Sequence, residues 1–174
     1  YAGFLEHTDT QHGRILDELE TQGVLNNTLV IYIFADNGAS AEGLEGTIEE
    51  LLAENMLPTT IDQQMGVLEE YGGLSALGTR NVDNMYHASF AWAMNTPFKC
   101  TKLVASHFGG TRTPMVISWP SAIEHDTVPR SQFHHVNDIV PTIYEAVGIR
   151  SPGIVDGVAQ QPLDGISMVY TFNN

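Results

Sequence analysis

TLVIYIFADNGASAEG, residues 28–43, is the stretch on which the fold turns. Its first eight residues, TLVIYIFA, are apolar or β-branched without polar alternation. Such a run suits a strand covered on both faces by helices, as in a parallel α/β sheet. It ends abruptly in Asp36, Asn37 and Gly38. Open α/β sheets collect ligands at the carboxyl ends of their strands, and these three residues belong at that edge. A carboxylate beside a carboxamide offers two hard oxygen donors for Ca²⁺ or Mg²⁺. The same tripeptide is also ordinary turn chemistry, and spacing alone leaves both readings open.

Working outward, residues 1–20 place Phe4, Leu5, Ile15, Leu16 and Leu19 at helical spacings, and QGVLNN closes that helix at Gly23. A second helix is predicted within EGTIEELLAEN, ended by Pro58. A further helical period over 61–77 sets Met65, Leu68 and Leu74 on one side, and VDNMYHASFAWAMN predicts a short helix with Met85, Phe90, Trp92 and Met94 in the core. TPMVISWP is a second buried strand bracketed by prolines. NDIVPTIYEAVGI is a helix starting at Asn137 or Asp138 and stopped by Gly148. Helices alternating with strands define an α/β chain of one domain, 1–174.

Charge narrows the partners. Twenty-one acidic against seven basic residues give a formal net charge of −14, and no Lys or Arg lies between Arg14 and Arg80. This argues against nucleic acid and anionic membrane surfaces as partners, whose phosphates need clustered cations. It also repels an anionic substrate unless a cation or a local basic patch reverses the field. NTPFKCTKLVASHFGGTRTP supplies such a patch. Lys99 and Lys102, the only two lysines, are followed by His107 and Arg112 around Gly109 and Gly110. Four potential cations in fourteen residues make either an anion-binding loop or a surface loop with snorkelling lysines. His134 and His135 are adjacent and point to opposite sides of an extended chain, so they cannot readily share a metal. The single Cys100 excludes an internal disulfide. No apolar run is long enough to span a bilayer, and the start at Tyr1 reads as a processed or excised chain.

Four segments, 1–43, 95–120 (NTPFKCTKLVASHFGGTRTPMVISWP), 133–149 (FHHVNDIVPTIYEAVGI) and 164–172 (DGISMVYTF), resemble in order and spacing the C-terminal part of a type I sulfatase catalytic domain. These are the arylsulfatases of the alkaline-phosphatase-like superfamily. The resemblance implies a partial alkaline-phosphatase-like α/β fold, with a mainly parallel sheet flanked by helices. It makes Asp36 and Asn37 ligands of a divalent cation, Ca²⁺ by family habit, with Mg²⁺, Mn²⁺ or Zn²⁺ as substitutes. Lys102 is by position the counterpart of the lysine that contacts the sulfate group, and His107 falls in the segment that closes the site, in a supporting role. Lys102 and His107 are thus the catalytic candidates, and the cationic loop itself adds Lys99 and Arg112 as substrate-binding groups.

The family's paired aspartates and its Cys-x-Pro-Ser-Arg motif, the source of the formylglycine nucleophile, are not in these residues. Cys100, in KCTK, lacks the following proline and arginine. The expectation is therefore a hydrolase of sulfate or phosphate esters, phosphotriesters included, assisted by a metal and without formylglycine. The alternatives are a non-catalytic fold fragment that binds a cation or another copy of itself, and an ester hydrolase using Cys100 or Ser106 with His107. The substrate is a small anionic or aryl ester. An uncovered sheet edge and apolar helix faces predict a homo-oligomer. The parent family's periplasmic, secreted and lysosomal habits leave the compartment open.

Overall fold

The computed structural model describes residues 1–34, 37–83 and 85–173. Two units divide the chain: Tyr1–Glu18 with Tyr32–Val116, and Leu19–Ile31 with Ile117–Asn174.

Helix α1, Ala2–Thr21, forms where the period predicts it, yet none of its residues is buried. Phe4 is 71% exposed and Ile15 60%. Its end is dictated locally. Gly23 takes a left-handed φ of 70°, open to glycine at no steric cost. The Val24 N–H then reaches back to the Leu19 carbonyl at 3.0 Å, satisfying a terminal acceptor.

The core of the first unit is helical. α2 (Thr47–Glu54), α3 (Ile61–Glu70) and a 3₁₀ turn at Gly73–Ala76 bury Ile48, Leu52, Leu68, Ala76 and Val82 together. α2 stops before Pro58 acts, because Met56 already has a positive φ of 55°. Thr60 and Gln63 form a reciprocal capping box at the start of α3, which satisfies two of its orphan N–H groups. Leu68 is buried as its spacing requires, whereas Met65 and Leu74 face solvent.

In α4 (Ala88–Asn95) the expectation of large core residues fails. Ala91 is fully buried, and Phe90, Trp92 and Met94 are exposed. The helix approaches its surroundings through its smallest side chain. Phe90 and Trp92, its immediate sequence neighbours, cannot share that face.

Strand β1 is Val30–Ile33, half the length of the apolar run, and is only partly buried. It forms a two-stranded sheet with β2, Met115–Ser118, and the Phe34 N–H continues the pairing to the Pro114 carbonyl at 3.1 Å. The mainly parallel sheet expected from the sequence is not found among the described residues. They hold two sheets of two strands each. The second is an antiparallel hairpin of β3 (Ile154–Val155) and β4 (Val158–Ala159). Its turn residues, Asp156 and Gly157, have φ of 49° and 80°. Both positive is the type I′ requirement, and Asp-Gly is its signature dipeptide; the sequence reading passed over it.

The second unit is organised by α6, Ile139–Ala146, entered through a 3₁₀ turn at Val136–Asp138 and closed at Gly148. Asp138 accepts from the His135 N–H and from the Ile166 N–H, both at 2.9 Å. The fully buried Thr142 hydroxyl donates to the Asp138 carbonyl at 2.5 Å and accepts from the Met168 N–H at 2.8 Å. These bonds stitch the segment 164–172 to the start of the helix. Gly165 lies so close to the Asn137 carbonyl that any side chain there would collide with it.

Candidate anion-binding site

The first unit gathers the loop after β1 against the loop that carries the cations. The clip is made by backbone: the Lys102 N–H donates to the Ala39 carbonyl at 3.0 Å. Glycines make the approach possible. A Cβ on Gly38 would strike the Gly109 carbonyl, one on Gly109 the Lys99 and Cys100 carbonyls, and one on Gly110 the Val104 carbonyl. Gly109 and Gly110 open the short helix α5, Phe108–Thr111, and are buried.

Asn95, the last residue of α4, ties the loops together. Its Nδ2 donates to the carbonyls of Cys100 and Gly109, each at 2.9 Å, and its Oδ1 accepts from the Ala39 N–H at 3.3 Å. Tyr86 adds a second tie, its hydroxyl accepting from the Ser40 N–H at 3.0 Å. The sequence reading singled out neither residue. A carboxamide just before the Thr-Pro turn was the available signal, since Asn can satisfy several loop backbone groups at once.

On this frame Lys102 Nζ lies 2.7 Å from Glu42 Oε2, and the Ser40 hydroxyl donates to the same oxygen at 2.8 Å. An ammonium and a hydroxyl thus converge on one anionic oxygen, sixty residues apart in sequence for the ion pair. The two donors, Lys102 first and Ser40 second, hold the Glu42 carboxyl below its ordinary range. Lys102 is about a third exposed, so the arrangement is open to solvent.

The other candidates have contacts of their own. Arg112 stacks its guanidinium over the rings of Phe98 and Phe108, at 5.1 and 5.7 Å from their centroids. This cation–π pairing orients the guanidinium plane. His107 caps α5 and is exposed, with Nδ1 3.0 Å from the Ser106 hydroxyl. Lys99 is exposed, and its carbonyl accepts from the Gly109 N–H at 3.0 Å. Cys100 is a free thiol with a φ of 67°.

Asn37 is exposed, and Asp36, its expected partner on a cation, lies outside the described residues. Among the described residues no three His, Cys, Asp or Glu side chains converge in a metal-holding group. Nor is any helix among them long and apolar enough to cross a membrane.

The sequence profile described as Sulfatase matches residues 1–149. The chain is 33% identical over 153 residues to an uncharacterized sulfatase of Schizosaccharomyces pombe, covering 88% of this chain and 25% of that protein. It is 25% identical over 170 residues to an arylsulfatase of Klebsiella aerogenes, covering 97% and 33%. With arylsulfatase H of Homo sapiens it shares 27% identity over 165 residues, covering 94% and 22%. The chain therefore spans a third or less of the length of these relatives.

Proposed function

Because the chain belongs to the sulfatase family, we propose that it serves in the hydrolysis of sulfate esters, supplying groups that hold the negatively charged sulfuryl moiety. The supporting observation is the convergence of Lys102 Nζ and the Ser40 hydroxyl on a single anionic oxygen. A substrate oxygen in place of Glu42 Oε2 would receive the same two donors, one of them charged. Charge-assisted hydrogen bonds of this kind are the strong ones. They lower a barrier to the extent that they tighten as charge develops on the transferred group. His107 and Lys99 take supporting places on the same loops, and Arg112, oriented by two aromatic rings, is read as a second contact for the ester.

Asp36 and Asn37 are read as donors to a divalent cation, calcium before magnesium, manganese or zinc. Their oxygens fit a hard cation in kind but supply only part of a calcium shell of about six to eight ligands. When bound, such an ion adds positive charge beside the reacting ester. Activity toward phosphate mono- and diesters belongs to the same reading, since the held group is again a tetrahedral oxyanion; a phosphotriester is neutral, and toward it the same donors would act only on the charge that develops on the phosphoryl oxygen during attack. On family grounds β1 and β2 are read as strands of a mainly parallel, helix-flanked sheet. Self-association is proposed as well, on the exposed apolar residues of α1, Phe4, Ile15 and Leu16. Light scattering at tens of micromolar checks it, and a clean monomer rejects it.

The decisive assay measures hydrolysis of an aryl sulfate, a phosphate diester and a phosphotriester, before and after chelation, with Lys102→Ala and Asp36→Ala. Lys102→Ala is expected to lower aryl sulfate turnover by about 10²-fold, the scale of losing one preorganised charge-stabilising donor. Activity indifferent to chelation and to both substitutions rejects the mechanism. No turnover of any ester, with anion binding retained, favours a non-catalytic binding module, a reading supported by the pairing of Lys102 with Glu42.

A further inference from the structure

If Lys102 holds an anion, Glu42 Oε2 now takes the place of that anion's oxygen, with consequences for which anions Lys102 can hold. Its carboxylate is neither stray nor loosely tethered. The Ser40 hydroxyl accepts from the Glu42 N–H at 3.3 Å while donating to Glu42 Oε2, which closes a local ring. Ser40 itself is fixed by Tyr86, and Lys102 by the backbone clip to Ala39. The backbone at both ends of the ion pair is thus set by the loop frame, and the side chains are partly exposed. The local charge of Lys102 plus Glu42 is zero, in a chain carrying −14.

We propose that Glu42 is the specificity-determining residue of this anion site, selecting monoanionic esters over dianions by placing a fixed negative charge against Lys102. The inference rests on the reading of Lys102 as the anion-holding lysine. Any incoming anion must draw Lys102 and Ser40 away from Glu42, a cost common to all ligands. Attraction to Lys102 and repulsion from Glu42 both scale with the charge of the ligand, because Coulomb energy is linear in charge, so Glu42 cancels part of the advantage that Lys102 alone would give a dianion. A sulfate monoester carries one negative charge. A phosphate monoester at mildly alkaline pH, or inorganic sulfate, carries two and meets about twice the repulsion. Selection by a built-in repulsive group complements attraction to the preferred ligand.

The test is an NMR titration of the chain at pH 8, following the Ser40 and Lys102 amides, with methyl sulfate and inorganic sulfate as probes. The two share one head group and differ by one charge. Glu42→Gln keeps the shape and removes the charge. In Glu42→Gln, affinity for inorganic sulfate is expected to rise more than affinity for methyl sulfate, and the ratio of the two affinities shifts toward inorganic sulfate by about threefold or more at low salt. Lys102→Gln abolishes both titrations. If Glu42→Gln changes both affinities equally, or neither, while Lys102→Gln still abolishes both, the selectivity role of Glu42 is overturned and the anion site stands. If Lys102→Gln leaves both titrations unchanged, or the wild type titrates with neither probe, the anion-site reading falls and this inference with it.

Discussion

Each unit of this protein joins distant loops through a carboxylate, and the two carboxylates are used differently. Asp138, buried in the second unit, accepts from two backbone N–H groups and lies 3.5 Å from the His134 ring. Glu42, exposed in the first, accepts from two side chains, Lys102 and Ser40. Backbone donors cannot leave without unfolding the loop that carries them. Side-chain donors can turn to another acceptor by changing rotamer. Asp138 is therefore structural, and Glu42 is exchangeable. The first unit assigns its own structural work to a neutral group, Asn95, and to glycines.

The contrast can be broken at several points, and the largest effect is expected at Gly109. Gly109→Ala drives a methyl into the Lys99 and Cys100 carbonyls, which are backbone and cannot turn aside. A cost of about 3 kcal/mol is expected, with loss of anion binding, read from thermal melting and the sulfate titration. Wild-type melting in this variant would mean that the loops separate at little cost and do not frame a site.

Next comes Asp138→Ala, which leaves the His135 and Ile166 N–H groups without their acceptor and costs about 2–3 kcal/mol. Its pH dependence has a definite sign. The N–H of His135 first, then that of Ile166, and lastly the His134 side chain, hold the Asp138 carboxyl below its ordinary range. A depressed folded-state pKa stabilises the fold above the unfolded value, about 4, and the benefit is lost as pH falls through the folded value. Urea melts should show the gap between wild type and Asp138→Ala full at pH 7 and closing below about pH 4. A gap that widens in acid contradicts the assignment.

Asn95→Ala ranks third. Three bonds from a half-buried carboxamide are lost, and about 1–2 kcal/mol is expected, with faster hydrogen exchange at the Ala39 amide. Unchanged exchange there would show that the glycine contacts alone hold the loops. The smallest effect belongs to Glu42→Gln, which should leave the melting midpoint in place, as exposed ion pairs contribute little. A marked drop would make Glu42 a structural group like Asp138 and erase the contrast.

Legibility followed range along the chain. The helix at residues 2–21, its glycine stop, the strand cores at 30–33 and 115–118 and the helix at 139–146 were readable because each depends on neighbours within a turn or two. The Asp156-Gly157 hairpin was equally local and was overlooked. Core membership was read less well. Phe90, Trp92 and Met94 are the large apolar residues of α4, but its one buried position is Ala91. Periodicity reports that a helix has two faces, not which of them meets the fold.

By itself the sequence determined the family, the acidic field that any anion must overcome, and the short list of cations able to overcome it. Tertiary structure alone decided what those cations face: Lys102 meets Glu42, which also accepts from Ser40, while Arg112 lies over Phe98 and Phe108. The reason is physical. Net charge and helical period are sums over local residues, whereas an ion pair spanning sixty positions exists only after backbone clips and side-chain-free glycines have brought two loops within reach.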